Sequence, residues 1–228
     1  MLFRQLFDPE SSTYTYLIGD PITGQAALVD PVLEQVDRDL QLLQELGLSL
    51  AFCLETHVHA DHITGTGQLR DRTGCRGLVP QGAEVACADG QMGDGEILQV
   101  GTLGIVAIAT WGHTDSHLAY LVEGDRVLTG DSLLIRGCGR TDFQGGDAGL
   151  LYDAVTRRLF TLPDETWVYP GHDYRGQTVS TIGEEKRHNP RFAGRDRSVF
   201  IALMSNLNLP NPKKMAEAVP ANRQCGQG

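Results

Sequence analysis

The residues most able to do chemistry sit in one short run, His57-Val58-His59-Ala60-Asp61-His62, which gathers three imidazoles and a carboxylate. His57 and His59 are two apart at the end of an apolar stretch, so an extended backbone points both rings to one side. Asp61 and His62 carry on toward a helix start. Donors this dense, at the C-terminal edge of a strand where α/β proteins usually place their sites, read as metal ligands and not as a solvated polar loop.

Three further donors lie in Gly112-His113-Thr114, Thr129-Gly130-Asp131-Ser132 and Pro170-Gly171-His172-Asp173. Each follows a glycine at the end of a predicted strand, and glycine there permits the sharp turn that aims a side chain into a cleft. Any one of them alone would pass as a hydrogen-bonded turn residue. Their recurrence beside the run favours ligation.

The elements that must position these donors are legible in outline. Apolar alternation over 2–7, 14–18 and 26–29, with turn signals at Asp8-Pro9 and Gly19-Asp20-Pro21, predicts an antiparallel start. Val32, Val36, Leu40, Leu43 and Leu46 recur at helical spacing until Gly47, and a buried strand over 48–54 then delivers the chain into Thr56 and His57. A helix over 63–72, strands over 77–80, 97–100, 104–109, 119–122 and 126–129, a helix over 150–162 and a strand over 166–169 follow. From about residue 175 the chain reads as polar and helical, and 206–228 as a Pro/Asn-rich tail. Strands first, then alternating strands and helices, with the order repeating past residue 100, suggest two stacked sheets flanked by helices.

Composition narrows the partners. The chain has 228 residues, enough for one substantial core and short for two. Its formal charge of −10, from 29 acidic and 19 basic residues without a basic stripe, argues against nucleic acid and anionic membranes. No apolar run approaches the ~20 residues of a membrane helix, and the first residues have neither signal-peptide nor transit-peptide character. The five cysteines, Cys53, Cys75, Cys87, Cys138 and Cys225, show no CxxC pair, so all five are expected as free thiols in a reducing, cytoplasmic setting.

Taken in order, THVHADH, GHT, TGDSLL and YPGHDY resemble the motif set of the metallo-β-lactamase superfamily. The resemblance implies an α/β (α+β) fold, an αββα sandwich of two mixed sheets flanked by helices, over one domain spanning 1–228 with 175–228 as a helical extension and tail. CGRTDFQGGD, beginning at Cys138, and the tail from MSNLNLP onward are similar to the persulfide dioxygenases related to ethylmalonic encephalopathy protein.

That narrower resemblance implies one Fe(II) per chain, held by the residues matching His57, His113 and Asp131, a facial triad that leaves positions open for O₂ and substrate. It implies oxidation of glutathione persulfide with O₂ and water to sulfite and glutathione. His59, Asp61, His62 and His172 would then orient ligands or water through hydrogen bonds. Arg140 and Tyr174 match residues at the glutathione end of the family's pocket, and Asp173 is expected to brace its loop. A homodimer is a family-level expectation. One alternative stays open: the donors used by dinuclear hydrolases of the glyoxalase II kind, His57, His59, Asp61, His62, His113, Asp131 and His172, are all present. One position departs from the pattern, Trp111 standing where the family usually has Pro.

Overall fold

The computed structural model describes residues 1–207, 209 and 214–226. They group into two compact units, one from Met1–Met92, Ile97–Ile105 and the described part of Asn211–Gly228, the other from Gly93–Glu96 and the described part of Val106–Pro210.

In the first unit, β1 (Leu2–Phe7), β2 (Tyr14–Gly19) and β3 (Gln25–Val29) form an antiparallel meander. Helix α1 (Val36–Glu45) crosses to β4 (Ser49–Leu54), parallel to β3, and α2 (Thr66–Thr73) crosses to β5 (Arg76–Pro80), parallel to β4. The short β6 (Gly90–Met92) pairs with β5, giving a six-stranded sheet in the order β1-β2-β3-β4-β5-β6. Val36 and Leu43 of α1 and Leu69 of α2 pack with Leu17, Leu28 and Cys53 of the sheet. Each such aliphatic side chain contributes roughly 1.5–3 kcal/mol by leaving water. Gly47 ends α1 as its sequence position suggests. Its φ of +65° lets Leu48 N–H reach back to Leu43 O at 2.9 Å, satisfying a carbonyl of the last turn.

The second sheet, in the order β12-β11-β10-β9-β8-β7, is built from β7 (Ile97–Val100), β8 (Leu103–Ala109), β9 (Leu118–Val122), β10 (Arg126–Gly130), β11 (Trp167–Pro170) and β12 (Ser180–Thr181). β9 and β10 are antiparallel and β10 and β11 parallel, so this sheet is mixed as well. Helix α3 (Ala148–Ala154) is capped by Asp147, whose carboxylate accepts from Leu150 N–H, and continues into a π-helical turn over Val155–Leu159. Helices α4 (Ile182–His188) and α5 (Arg197–Ser205) complete the second unit. Its core joins Leu151, Val155 and Leu159 to Val168, Ile182, Phe192 and Phe200, with the last two rings stacked at 4.9 Å. The expected class, two mixed sheets flanked by helices, is what the chain forms.

Within the segment expected as a Pro/Asn-rich tail, α6 (Met215–Asn222) belongs to the first unit, while 208, 210–213 and 227–228 lie outside the described residues. One expectation needs correction: not all five cysteines are free. Cys87 and Cys225 form a disulfide across 138 residues of sequence, leaving Cys53, Cys75 and Cys138 as thiols. A pairing over that separation has no local spacing signal, and the step from cysteine spacing to a reducing compartment loses its basis. Among the described residues no helix is long and apolar enough to cross a membrane.

Candidate metal centre

In the first unit the ligand run leaves β4 and is steered by Asp30, at the end of β3. Asp30 is 1% exposed and sits at φ +51°, a conformation that residues other than glycine adopt only when their surroundings hold them there. Its Oδ1 accepts from Thr56 N–H at 2.7 Å and its Oδ2 from the Thr56 hydroxyl at 2.8 Å. With its hydrogen committed to Asp30, the Thr56 hydroxyl accepts from His57 Nδ1–H at 2.9 Å. That bond selects the tautomer whose Nε2 carries the lone pair a metal needs.

His59 turns the other way. Its Nε2 lies 3.0 Å from Asp30 Oδ1 and 3.4 Å from Glu55 Oε2, while its buried Nδ1 has no hydrogen-bond partner. Burial by itself would lower the His59 pKa, but the charges of Asp30 and Glu55 raise it well above the ordinary value. His62 Nδ1 lies 3.0 Å from Asp61 Oδ2 and 3.3 Å from the Thr13 hydroxyl, and its Nε2 is likewise buried without a partner. The rings of His57, His59 and His62 succeed one another at 4.1 and 4.3 Å. One donor atom from each of His59, Asp61 and His62 falls within 4.8 Å of the others. Unprotonated, these buried nitrogens would be lone pairs without a partner, costly in a dry interior, and a cation would satisfy them, replacing at His59 the proton that Asp30 and Glu55 favour. The first unit's donor set therefore fits a metal ion.

In the second unit His113 and Asp131 face one another, His113 Nε2 and Asp131 Oδ2 being 3.5 Å apart. His113 Nδ1–H donates to Arg140 O at 2.6 Å, so its Nε2 is also the lone-pair nitrogen. Asp131 Oδ1 accepts from His172 Nδ1–H at 2.6 Å, leaving Oδ2 as the oxygen turned toward His113. Two glycines make this approach possible. Gly112 has φ +126°, and a Cβ there would stand 2.2 Å from Leu151 N; a Cβ on Gly171 would stand 2.7 Å from Asp131 Oδ1. His117, fully buried, donates from Nδ1 to the Thr110 hydroxyl and accepts from Asp131 N–H at Nε2, 3.1 Å away, so it positions the Asp131 backbone.

The remaining expected residues are placed as follows. Arg140 grips Asp142 through two bonds, Nε to Oδ1 at 2.6 Å and Nη2 to Oδ2 at 2.7 Å, and lies 3.9 Å over the Phe143 ring. A carboxylate ligand would have to displace Asp142 or use the other face of the fork. Tyr174 is 72% exposed and stacks on His172 at 6.0 Å, available as a wall. Asp173 braces its loop, its Oδ2 accepting from Arg175 and Gln177 N–H at 2.8 and 2.6 Å. Trp111 is half exposed and lines a shallow cleft of about 210 Å³ with Leu150, Ala154 and Arg157.

Asp30, Glu55 and Asn222 stand outside the quoted motifs, Asn222 Nδ2 donating to the carbonyls of His59 and His62 at 2.9 Å, and Thr56 heads one motif without being a metal donor. A signal existed for Asp30, a lone carboxylate closing four apolar residues just before Pro31. Asn222 had none, being an amide in a segment read as a tail.

A match to the family described as the metallo-beta-lactamase superfamily covers residues 8–172. A protein named persulfide dioxygenase ETHE1, mitochondrial, from Mus musculus is 48% identical over 228 residues, covering 99% of this chain and 89% of its own length. The crystal structure of ETHE1 from Myxococcus xanthus superposes with a TM-score of 0.97 at 61% identity, covering 100% of both chains. A hydroxyacylglutathione hydrolase from Nitrobacter winogradskyi is 32% identical over 203 residues, covering 86% of this chain and 76% of its own length.

Proposed function

The chain belongs to the metallo-β-lactamase superfamily, and from that premise we propose that it is a persulfide dioxygenase working with one ferrous ion held by His57, His113 and Asp131. The observation that carries the reading is the near-full-length likeness, at 48% identity, to a protein named persulfide dioxygenase ETHE1, joined by a TM-score of 0.97 to the ETHE1 structure from Myxococcus xanthus. The local chemistry supports it. His57 and His113 each have Nδ1 tied to an oxygen, which turns Nε2 into the ligating atom, and His172 occupies the Asp131 oxygen that faces away from His113. Two neutral imidazoles and a carboxylate suit ferrous iron and leave coordination positions open.

The reaction is oxidation of glutathione persulfide, RSSH + O₂ + H₂O giving RSH and sulfurous acid, which ionises to sulfite. When bound, iron supplies the redox chemistry that activates O₂. The chain's own part is geometric. Asp30 and Thr56 hold the His57 ring, Arg140 O and the Asp131–His172 pair hold the other two donors, and Arg140 with Tyr174 receives the peptide end of the substrate. A guanidinium that exchanges Asp142 for a glutathione carboxylate keeps two parallel bonds, so binding loses little there.

A second reading, a dinuclear thioester hydrolase, is favoured by the buried, partnerless Nδ1 of His59 and Nε2 of His62 beside Asp61. Metal analysis combined with an oxygen-electrode assay separates the two. One iron per chain with O₂ uptake on glutathione persulfide supports the dioxygenase, whereas two metals with thioester cleavage and no O₂ uptake overturns it.

A further inference from the structure

The end of α6 is built into the backbone of the ligand run. Asn222 is 5% exposed and uses both ends of its amide: Nδ2 donates to the carbonyls of His59 and His62, each at 2.9 Å, and Oδ1 accepts from Thr64 N–H at 2.8 Å. Three residues on, Cys225 O accepts from Gly67 N–H at 2.9 Å in the first turn of α2. Four backbone groups between His59 and Gly67 thus depend on where α6 ends.

A covalent bond holds that end in place. Cys225 is bonded to Cys87 in the loop between β5 and β6, with the two Cα atoms 6.0 Å apart. The Cys87 loop is itself tied to α2, since Arg70 Nη1 donates to Cys87 O at 2.6 Å. Cys225 is 3% exposed and Cys87 half-buried, so a small nucleophile reaches the bond from the Cys87 side. Without the cross-link the last turn of the helix would be held by these hydrogen bonds alone, and its local opening would cost less.

We propose that Cys87–Cys225 is a thiol-responsive site: a low-molecular-weight thiol opens it and so releases Asn222 from the backbone of the ligand run. The thiolate attacks Cys87 Sγ, a mixed disulfide forms there, and the bonding electron pair leaves on Cys225 Sγ, which takes up a proton. A second thiol attacks the small-molecule sulfur of the mixed disulfide, forming the oxidised dimer of the small thiol and leaving the Cys87 thiol. The chain gains two electrons and two protons, and two small thiols become one disulfide. The inference rests on the placement of Asn222 and the cystine and not on the dioxygenase reading, so it can fail or succeed independently of it.

The test is amide hydrogen exchange followed by mass spectrometry on the metal-free full chain, with the disulfide intact and after reduction by dithiothreitol. Reduction is expected to speed exchange at the Thr64 and Gly67 amides by about tenfold or more while β2 and β3 stay within about twofold. Cys87→Ser should exchange at the reduced rate with or without dithiothreitol. Asn222→Ala should exchange fast at Thr64 in both states and lose the response to reductant there. Because the wild-type chain is reduced in place, the comparison stands even if a variant fails to fold. Unchanged exchange at Thr64 and Gly67 on reduction, or five free thiols titrated in the denatured unreduced chain, would overturn the proposal.

Discussion

Replacing Thr56 by Val removes one oxygen from the interior and tests the orientation of His57. The hydroxyl donates to Asp30 Oδ2 at 2.8 Å and accepts from His57 Nδ1–H at 2.9 Å, and all three residues are at most 2% exposed. Val keeps the shape and leaves Asp30 Oδ2 and His57 Nδ1–H each short of a partner. Burying one unsatisfied group costs about 1–3 kcal/mol, so the metal-free chain should lose about 2–4 kcal/mol once Asp30's remaining bond to Thr56 N–H is credited. Metal affinity should fall further than stability alone explains. Loss of a hydrogen-bond partner of a ligand histidine typically costs 10–100-fold in affinity, or about 1.4–2.7 kcal/mol. The assay is competition with a chromogenic chelator for Fe(II) under anaerobic conditions, alongside urea unfolding of the metal-free chain. Thr56→Ser, which keeps the hydroxyl, should restore most of the affinity. Val with affinity within about threefold of wild type, but reduced stability, would refute the claim that Thr56 sets the His57 tautomer.

Asp39 on α1 is buried, its Oδ2 has no partner, and burial pushes its carboxyl up to about 6 against the attraction of Arg38. The unfolded chain releases that proton near 3.8, so stability is full below 3.8 and is lost as pH rises to about 6. Asp39→Asn should therefore raise stability at pH 7 by up to about 3 kcal/mol and have little effect at pH 4, read as urea midpoints at the two values. Glu185 is fully buried and accepts from Arg136 N–H and its guanidinium, Ser180 and Asn189. Glu185→Ala should cost about 2–4 kcal/mol in thermal unfolding, the usual loss being reduced because Arg136 is a quarter exposed. Fe(II) at about a hundred times its dissociation constant should stabilise the chain by about 2.7 kcal/mol, a rise in Tm of about 5–10 °C that a chelator reverses. An unchanged Tm would count against a metal centre in the folded state.

The sequence by itself determined the donors and the strand ends that carry them. His57, His59, Asp61 and His62 are neighbours along the chain, and the glycines before His113, Asp131 and His172 mark turns whose need for a missing Cβ is local, as Gly112 at φ +126° shows. Helix α1 was legible for the same reason: its apolar spacing and Gly47 act within about a dozen residues. Only the tertiary structure decided which nitrogen of each histidine is available for a metal. That choice depends on Asp30 and Thr56 at His57 and on Arg140 O at His113, the latter 27 residues away in sequence. The same holds for Asn222 and the Cys87–Cys225 bond, which join segments separated by 163 and 138 residues. A side-chain pattern has a period only within a helix or strand, so a contact between distant segments leaves no periodic trace. The chain therefore shows which residues can bind a metal, and its folding decides which of their atoms are placed to do so.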